Sequence, residues 1–414
     1  MNIAYLCNSF PEPCESYVRD EIVELRSHLV EVTAYSVRRP SVPIDSDPET
    51  VYLLPLQFLK CVGATWFLIR RFPRIRDLVS RTLLGREPIA RRIRTLAHTW
   101  LGAYYAAPLK NSPPDHIHVH HGYFGSWIGM VAARLLGVSF SMTLHGSDLL
   151  VRADYLDVKL QACRFCFTVS EFNRRYILDR YPFISGDKIL VQRLGVDPSS
   201  WKPLPARVPD GCLHIVSVGR LHSIKNYAFL ILAGRALKSA GMKIRCTIAG
   251  EGPERTALEQ LIVRLDLEGE VTLAGHIPRA DLPGLYAAAD VVVLTSHSEG
   301  IPVTLMEAMA MERVVIAPAI TGVPELVLHG KTGFLYQPGS MDELLSQLQI
   351  VFHGGRLLNK MKAAAREHVL RDSNSRTNLA CFAKSFLSRI EVQPSDRTLI
   401  TQEPAHEDPV LQQI

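Results

Sequence analysis

The sequence predicts an α/β protein built from two doubly wound domains, and three observations support this fold class. Short apolar segments alternate with longer helical patterns in both halves, which is typical of parallel sheets covered on both faces. The chain has 414 residues, more than one ordinary domain core contains. A proline-rich segment at residues 201–211, WKPLPARVPDG, divides the two halves and predicts a linker.

The strand candidates are short, largely apolar runs, each ahead of a helical pattern or a turn. In chain order the first half contains NIAYLC, VEVTAYSV, HIHVHH, SFSMTLH and CFTVS, and the second half contains LHIVSVG, KIRCTIAG, EVTLAG, DVVVLTS and RVVIAP. The last segment, residues 391–414, is polar, contains prolines and lacks periodicity, so it predicts a disordered tail.

Composition indicates a soluble globular protein in a reducing, cytoplasmic compartment. Hydrophobic residues make up 47% and charged residues 21% of the chain. The opening MNIAYLCNSF has no basic leader and predicts a buried strand rather than a signal peptide. No run reaches the roughly 18 uncharged apolar residues of a membrane span. Among eight cysteines the one close pair is Cys163 and Cys166; zinc or redox chemistry is conceivable there, but no second pair completes a site, so we favour core packing.

Positive charge is concentrated in residues 60–110. Eleven Lys and Arg residues face only Asp77 and Glu87, a net charge of +9, among many aromatic and aliphatic residues. Such a segment suits the surface of an anionic membrane, which predicts a protein peripheral to the inner membrane face. The alternative is a set of surface helices with solvated basic faces. A nucleic-acid patch is a third option, but no matching motif supports it, and we expect no nucleic-acid partner.

In open α/β sheets, ligands bind beyond the carboxyl ends of the strands, and conspicuous polar residues stand there. Arg220 ends the strand HIVSVGR, Lys225 follows five residues later, and Gly219 permits close backbone approach. Two cations at such a position can neutralise a diphosphate, although surface ion pairs would give the same pattern.

The glycine turn in IAGEGPER, with Gly250 and Gly252, stands between a strand and a helix. It is not the full dinucleotide fingerprint, because position 255 is arginine. This departure opposes a nicotinamide oxidoreductase, a class that the absence of NAD and NADP binding would eliminate.

Two glutamates in SEGIPVTLMEAMA stand out at the mouth of the strand DVVVLTS. An ionised carboxylate accepts two hydroxyl donors, so one acid could hold a ribose and the other the hydroxyls of an attached sugar. The amides between Glu299 and Glu307 would face the diphosphate. The rival for Glu307 is a capping box with Thr304, and the rival for Glu299 is a solvated loop acid.

Histidines and an aspartate mark strand ends in the first half. His118 and His120 share one strand face in DHIHVHHGYF, so zinc is geometrically possible, but no nearby acid or cysteine clearly completes a site. A packed or cleft-lining strand end and contact of His120 with an acceptor are the other interpretations. Asp148 either binds an acceptor hydroxyl or caps the helix that follows it.

Together these motifs resemble glycosyltransferase family 4, retaining enzymes of the GT-B fold, in the branch that builds exopolysaccharide and colanic-acid-like polymers. The E-x7-E element is EGIPVTLMEAMA, and the other motifs occur in the family's order. They are SFPEPCESYVRDEIVEL, DHIHVHHGYFGSW, TLHGSDL, TVSEFNRRYI, RLGVDPSSW, VGRLHSIKN, AGEGPER, VTLAGHIP, LYAAADVVVLTSHSEG and TGVPELVLHGKTGFLY. Two departures weaken local details: Met311–Val314 replaces the usual glycine turn after EAMA, and NSFPEPCES replaces an N-terminal glycine pair.

The resemblance implies two Rossmann-like domains facing a central cleft. The N-terminal acceptor-side domain would span residues 1–204, joined by a C-terminal helix near 375–390. The C-terminal domain, residues 205–374, would bind a nucleotide-sugar.

The resemblance also implies roles for single residues. Arg220 and Lys225 match the family's diphosphate-binding cations, Glu307 the acid on the donor ribose, and Glu299 the acid beside the donor sugar. His145 matches the histidine that points into the cleft. The implied catalytic set is Glu299, His145, Arg220 and Lys225; the implied donor contacts add Gly219, Gly250, Ile277, Gly300, Ile301, Val303, Thr304 and Glu307; the acceptor candidates are Asp148 and His120.

The expected reaction is transfer of a hexosyl unit, with retention, from a nucleotide-sugar to a polysaccharide or lipid-linked oligosaccharide. A small soluble or glycolipid acceptor, or donor binding without catalysis, are the alternatives. The departing phosphate would take the acceptor proton, assisted by His145; a double displacement would instead use Glu299 as nucleophile. No cofactor or metal is expected, because the two cations replace it. Donor base, donor sugar and acceptor do not follow from the sequence.

Overall fold

The structure, a computed structural model, describes residues 1–12, 15–40, 50–151, 153–205, 207–208 and 210–390. The predicted disordered tail, residues 391–414, lies outside the described residues, as do two positions of the predicted linker. The described residues between positions 201 and 211 form no helix or strand.

Two separate sheets confirm the predicted α/β fold class. The strands are β1 Asn2–Ser9, β2 Glu31–Arg38, β3 Val51–Tyr52, β4 His116–His120, β5 Ser139–Leu144, β6 Cys166–Thr168, β7 Ile189–Val191, β8 Leu213–Val218, β9 Ile244–Ala249, β10 Val271–Gly275, β11 Val291–Val293, β12 Val314–Pro318 and β13 Phe334–Tyr336. The first sheet has the order β3-β2-β1-β4-β5-β6-β7 and the second the order β10-β9-β8-β11-β12-β13. Every pairing in the second sheet is parallel.

All ten predicted strands are present, and the three further strands among the described residues are short edge strands. Strands β3, β7 and β13 are two or three residues long and stand at the ends of their sheets. Runs of this length carry no measurable alternation, so only pairing with a neighbour defines them.

Helices separate the strands along the chain. They are α1 Ser16–Ser27, α2 Phe58–Arg71, α3 Arg76–Leu84, α4 Ile89–Ala106, α5 Phe124–Leu136, α6 Ser147–Leu150, α7 Leu156–Ala162, α8 Glu171–Arg180, α9 Tyr227–Ser239, α10 Arg255–Arg264, α11 Leu282–Ala287, α12 Val303–Ala310, α13 Val323–Leu326, α14 Met341–His353, α15 Arg356–Asp372 and α16 Ser375–Ile390. Within the described ranges, none of these helices is both long and apolar enough to cross a bilayer.

The apolar run of β11 shows why strands of the second sheet lack alternation. Val291 and Val293 belong to one buried apolar cluster, and Val292 belongs to another. Because a strand sends successive side chains to opposite faces, both faces of this sheet are covered by apolar side chains. A continuous valine run is therefore what a central parallel strand requires.

The chain divides into two compact units. The first contains residues 1–142, 158–165 and those from Cys381 onward, and the second contains residues 143–157 and 166–380. In the first unit the Phe386 ring of α16 lies 5.1 Å from the His118 ring and 6.4 Å from the Tyr5 ring. The domain bounds expected from the sequence, at residues 204 and 374, stay predictions.

Cys163 and Cys166 are buried thiols outside any disulfide, which confirms the prediction of core packing for this pair. Their thiols donate to backbone carbonyl oxygens, Cys163 to Leu160 and Cys166 to Phe167.

Candidate functional site

The second sheet reverses its strand order between β8 and β11. Strands β9 and β10 extend from β8 on one side, while β12 and β13 extend from β11 on the other. Such a reversal opens a crevice at the carboxyl ends of the two central strands. Gly219 and Arg220 directly follow β8, and the loop that carries Glu299 follows β11. The predicted donor residues therefore stand on both sides of this crevice.

The Lys225–Glu299 ion pair joins the two loops of the crevice. Lys225 Nζ lies 2.7 Å from Glu299 Oε1, and the Ser296 hydroxyl donates to the same oxygen at 2.5 Å. The Thr295 hydroxyl donates to the Lys225 carbonyl at 2.9 Å. Glu299 is not the solvated loop acid of the alternative, because only 10% of its side chain is exposed. Arg220 is exposed.

Glycine at position 250 is required by backbone packing. Gly250 has φ +145°, and a Cβ there would lie 1.9 Å from the Gly219 carbonyl oxygen. The Gly219 amide donates to Ala249 and the Gly250 amide to Gly275, so the ends of β8, β9 and β10 are bound together. This packing explains the glycine without a ligand, and direct contact of Gly250 with a donor stays a prediction.

Gly250→Ala should therefore lower the free energy of unfolding by several kcal/mol, since neither backbone nor φ can accommodate the new methyl group. Gly241→Ala is the matched control, because Gly241 also has positive φ but no atom within 4 Å of its Cβ position. We expect it to cost only about 1 kcal/mol. Urea unfolding of both variants measures the difference, and equal losses would show that the Gly219 carbonyl does not matter.

Three glycines bring the His145 loop against Glu299. A Cβ on Gly300 would lie 2.3 Å from the His145 carbonyl oxygen, and one on Gly322 would lie 2.3 Å from the Gly300 carbonyl oxygen. A Cβ on Gly146 would lie 3.0 Å from the Gly300 amide nitrogen. The backbones of these segments are thus in direct contact. His145 lies beside Gly300, the residue that directly follows Glu299.

Asp148 fixes the backbone of the His145 loop. Its fully buried carboxylate accepts the amide of Gly146 at 2.8 Å and that of His145 at 3.1 Å. The helix-cap alternative is wrong: α6 begins at Ser147, so Asp148 lies inside the helix and accepts amides that precede it. Its contact with an acceptor hydroxyl stays a prediction.

Glu307 is a buried acid inside α12. The helix begins at Val303, its N-cap Pro302 makes no side-chain cap, and Glu307 is its fifth residue. The capping-box alternative is therefore wrong, because Glu307 lies beyond the first turn. The Tyr286 hydroxyl donates to Glu307 Oε2 at 3.0 Å, and Arg279 Nη2 lies 3.9 Å from Oε1. Burial raises the pKa of this carboxyl to about 7, against the opposing influence of Arg279 and Tyr286.

The remaining predicted donor residues line the apolar side of the same region. Ile301 is buried, while Ile277 and Val303 are partly buried and pack against the same apolar cluster. Thr304 is partly buried at the second position of α12. Since Ile301 contributes its side chain to the core, a donor would meet its backbone.

His120 belongs to a buried network at the end of β4 in the first sheet. Its Nε2 lies 2.9 Å from Glu21 Oε2, to which the Tyr5 hydroxyl also donates at 2.6 Å. His118 Nδ1 lies 2.7 Å from the Ser141 hydroxyl. Burial lowers the pKa of neighbouring His116 to about 3, so it remains neutral.

The sequence showed no acid that clearly completes a zinc site with these histidines. In the structure Glu21 lies beside them. Ligand atoms of Glu21, His118 and His120 lie within 4.8 Å of one another, so zinc remains geometrically possible. Because these side chains already have hydrogen-bond partners in the fold, we favour a packed strand end. Contact of His120 with an acceptor stays a prediction.

Sequence reasoning missed several partners of the predicted residues. Ser296 and Thr321 follow β11 and β12, so inspection of every strand end could have found them. The Thr321 hydroxyl donates to the Glu299 carbonyl at 2.6 Å. No pattern in the sequence marks Tyr286 or Arg279, because only folding brings these residues to Glu307.

Two family matches cover most of the chain. Residues 14–200 match the family described as Glycosyltransferase Family 4, and residues 206–368 match Glycosyl transferases group 1. The amylovoran biosynthesis glycosyltransferase AmsK of Erwinia amylovora is 30% identical over 289 residues, 66% of this chain and 70% of that protein. The putative colanic acid biosynthesis glycosyltransferase WcaL of Escherichia coli strain K12 is 38% identical over 168 residues, 39% of this chain and 41% of WcaL. The chain thus spans less than half the length of that relative.

A solved structure shows the same fold. Anabaena HepE, crystallised with UDP and glucose, superposes with a TM-score of 0.67 at 18% identity, covering 94% of this chain and 100% of HepE. At this identity the likeness concerns the fold alone, and it confirms the predicted GT-B arrangement of two parallel α/β sheets.

Proposed function

Because the chain belongs to glycosyltransferase family 4, we propose that it transfers a hexosyl unit, with retention, from a nucleotide-sugar to a glycan acceptor. The acceptor we propose is a polysaccharide or a lipid-linked oligosaccharide of a cell-surface glycan. One relative is named an amylovoran biosynthesis glycosyltransferase and another a putative colanic acid biosynthesis glycosyltransferase, and these names support this acceptor class.

One observation carries the proposal: an ion pair joins opposite charges at the point where the second sheet reverses its strand order. Arg220 and Lys225 follow β8, and Glu299 reaches Lys225 from the loop after β11. Cations at the carboxyl ends of parallel strands suit the diphosphate, and an acid beside them suits the sugar hydroxyls. The first residues of α12, Val303 and Thr304, have amides without acceptors inside the helix, so they can add donors to the diphosphate.

Glu307 would hold the ribose. Its carboxylate lies inside α12, four residues beyond the amide of Val303, so a diphosphate at the helix start would place the nucleoside near it. Only an ionised carboxylate accepts both ribose hydroxyls, so Arg279 would assist binding by favouring the ionised form.

Catalysis would follow from stabilising the leaving group. As the glycosidic bond breaks, negative charge grows on the nucleoside diphosphate, and fixed cations aimed at it lower the barrier by several kcal/mol. We propose that the departing phosphate takes the acceptor proton, assisted by His145, and that the two cations make a metal unnecessary. The alternative nucleophile, Glu299, is engaged by Lys225 and Ser296, which supports the first route.

A thermal-shift screen against UDP-, GDP- and ADP-sugars tests the donor. We expect one base to raise the melting temperature, because a ligand that binds only the folded state stabilises it. The selected donor, radiolabelled in its sugar, is then incubated with polysaccharide and lipid-linked acceptors. Donor binding with neither transfer nor hydrolysis would favour a non-catalytic binding protein. Transfer to a small soluble sugar or to a glycolipid would show that the acceptor belongs to the alternative class.

The lipid-linked acceptor also requires the protein to work at the inner face of the membrane. We propose that the basic region, residues 60–110, contacts an anionic membrane surface there.

A further inference from the structure

Exposed apolar side chains are concentrated on one short part of the chain. Of the 24 large apolar residues that are exposed within the described ranges, 11 lie between Leu56 and Ile93. A soluble surface normally carries such side chains singly rather than in a group. This grouping indicates that the region meets an apolar partner.

Helix α2 is apolar on two opposite faces. Ala64 and Phe67 point inward and are 0% and 9% exposed. The opposite face, which we call the α2 apolar face, carries side chains that are 57–83% exposed: Phe58, Leu59, Val62, Trp66 and Ile69. The spacing of Leu59, Val62, Trp66 and Ile69 places them on one stripe of the helix, because a turn has about 3.6 residues. Packing within the protein explains only the inward face.

A cation borders the α2 apolar face. Arg70 lies one turn beyond Trp66, and its guanidinium lies 4.8 Å from the centre of the Trp66 ring. Lys60 and Arg71 instead share the inward row of the helix. The two acids of the basic region are already engaged, Asp77 by Arg134 and Glu87 by Arg81. The apolar stripe therefore has a positive charge at its border and belongs to a segment with an excess of positive charge.

We propose that α2 lies in the plane of an anionic lipid bilayer, with its apolar face inserted among the acyl chains and Arg70 at the headgroups. An apolar stripe bordered by cations is the arrangement of interfacial helices. Nucleic acid would use the cations but not Phe58, Leu59 or Ile69. A second copy docked through this face would bring two strongly basic surfaces together, which like-charge repulsion opposes.

This inference deepens the proposed function by naming the helix that meets the membrane. Its test measures lipid binding alone. Donor binding in the thermal-shift assay should be the same in every α2 variant, so failure of the lipid inference and failure of the proposed transfer are distinguishable.

The test is flotation with phosphatidylcholine vesicles that contain or lack phosphatidylglycerol. We expect the wild type to float with the anionic vesicles, and the double variant Leu59→Glu, Trp66→Glu to bind them at least about tenfold more weakly. Arg70→Gln should weaken binding by about fivefold. The matched control is Val263→Glu on α10, where the side chain is 62% exposed.

Trp66 supplies a direct probe of insertion. It is 57% exposed, whereas Trp100 is half-buried and Trp127 and Trp201 are only 2% exposed, so most of the blue shift of tryptophan emission on vesicle binding should disappear in Trp66→Phe. The inference is wrong if the wild type stays unbound at low salt, or if Val263→Glu reduces flotation as much as the α2 variants. It is also wrong if light scattering shows a dimer that the α2 variants dissociate.

Discussion

Arg220→Ala should lower the turnover of sugar transfer about 10²- to 10³-fold while leaving the melting temperature unchanged. Removing one group aimed at charge that develops in a transition state typically has an effect of this size. Arg220 is exposed at the carboxyl end of β8, so its loss removes no core packing. Steady-state kinetics with the identified donor, together with thermal unfolding, measures both quantities.

A matched control is Arg264→Ala, which removes an exposed arginine from the last turn of α10. It should change neither turnover nor melting temperature. Arg220→Lys keeps the charge but not the planar guanidinium, so we expect partial recovery of turnover. Normal turnover in Arg220→Ala would contradict the role of this residue at the diphosphate.

Glu307→Gln should lower kcat/KM for the donor about 10- to 100-fold, since hydrogen bonds to a charged acceptor each contribute roughly 1.5–3 kcal/mol. The wild-type kcat/KM should rise with pH through about 7, because the carboxyl has a pKa of about 7 and must ionise to accept two hydroxyls. Rates measured across pH 5.5 to about 8.5 should show this limb in the wild type and not in the variant.

The same carboxyl gives the stability of the fold the opposite pH dependence. Its pKa is raised from 4.5 to about 7 on folding, so the folded state binds the proton more tightly than the unfolded chain. The resulting stabilisation is fully present below pH 4.5 and is lost as pH rises through about 7, a loss of about 3 kcal/mol. Urea unfolding at acidic and alkaline pH should show this loss in the wild type and a smaller one in Glu307→Gln.

Glu268→Gln controls for removal of a carboxylate, because Glu268 is exposed and distant in sequence from the site. It should preserve both pH dependences. If Glu307→Gln removes the pH dependence of stability but preserves kcat/KM, Glu307 is a buried acid of the core and another group holds the ribose.

The strands and their order along the chain were predictable because apolar runs and turns are local properties. DVVVLTS indicates a buried strand wherever it stands in a fold, and the residues after it then belong to a sheet edge where ligands bind. The same local reasoning kept a capping box open as the rival role of Glu307, and that alternative was wrong. Thr304 and Glu307 have the spacing of a capping box, but the helix starts at Val303 rather than after Thr304. A difference of two residues in the helix start removes the capping box, and boundaries are the least reliable part of a local pattern.

By itself, the sequence determined the fold class and the positions of Arg220, Lys225, Glu299 and Glu307 relative to strand ends. Only the tertiary structure decided which groups these side chains meet. Lys225 and Glu299 are 74 positions apart, and Tyr286 and Glu307 are 21 apart, yet each pair is in hydrogen-bond contact. The physical reason is that hydrophobic periodicity acts within a few residues, whereas an ion pair or a buried pKa depends on atoms that distant segments bring together.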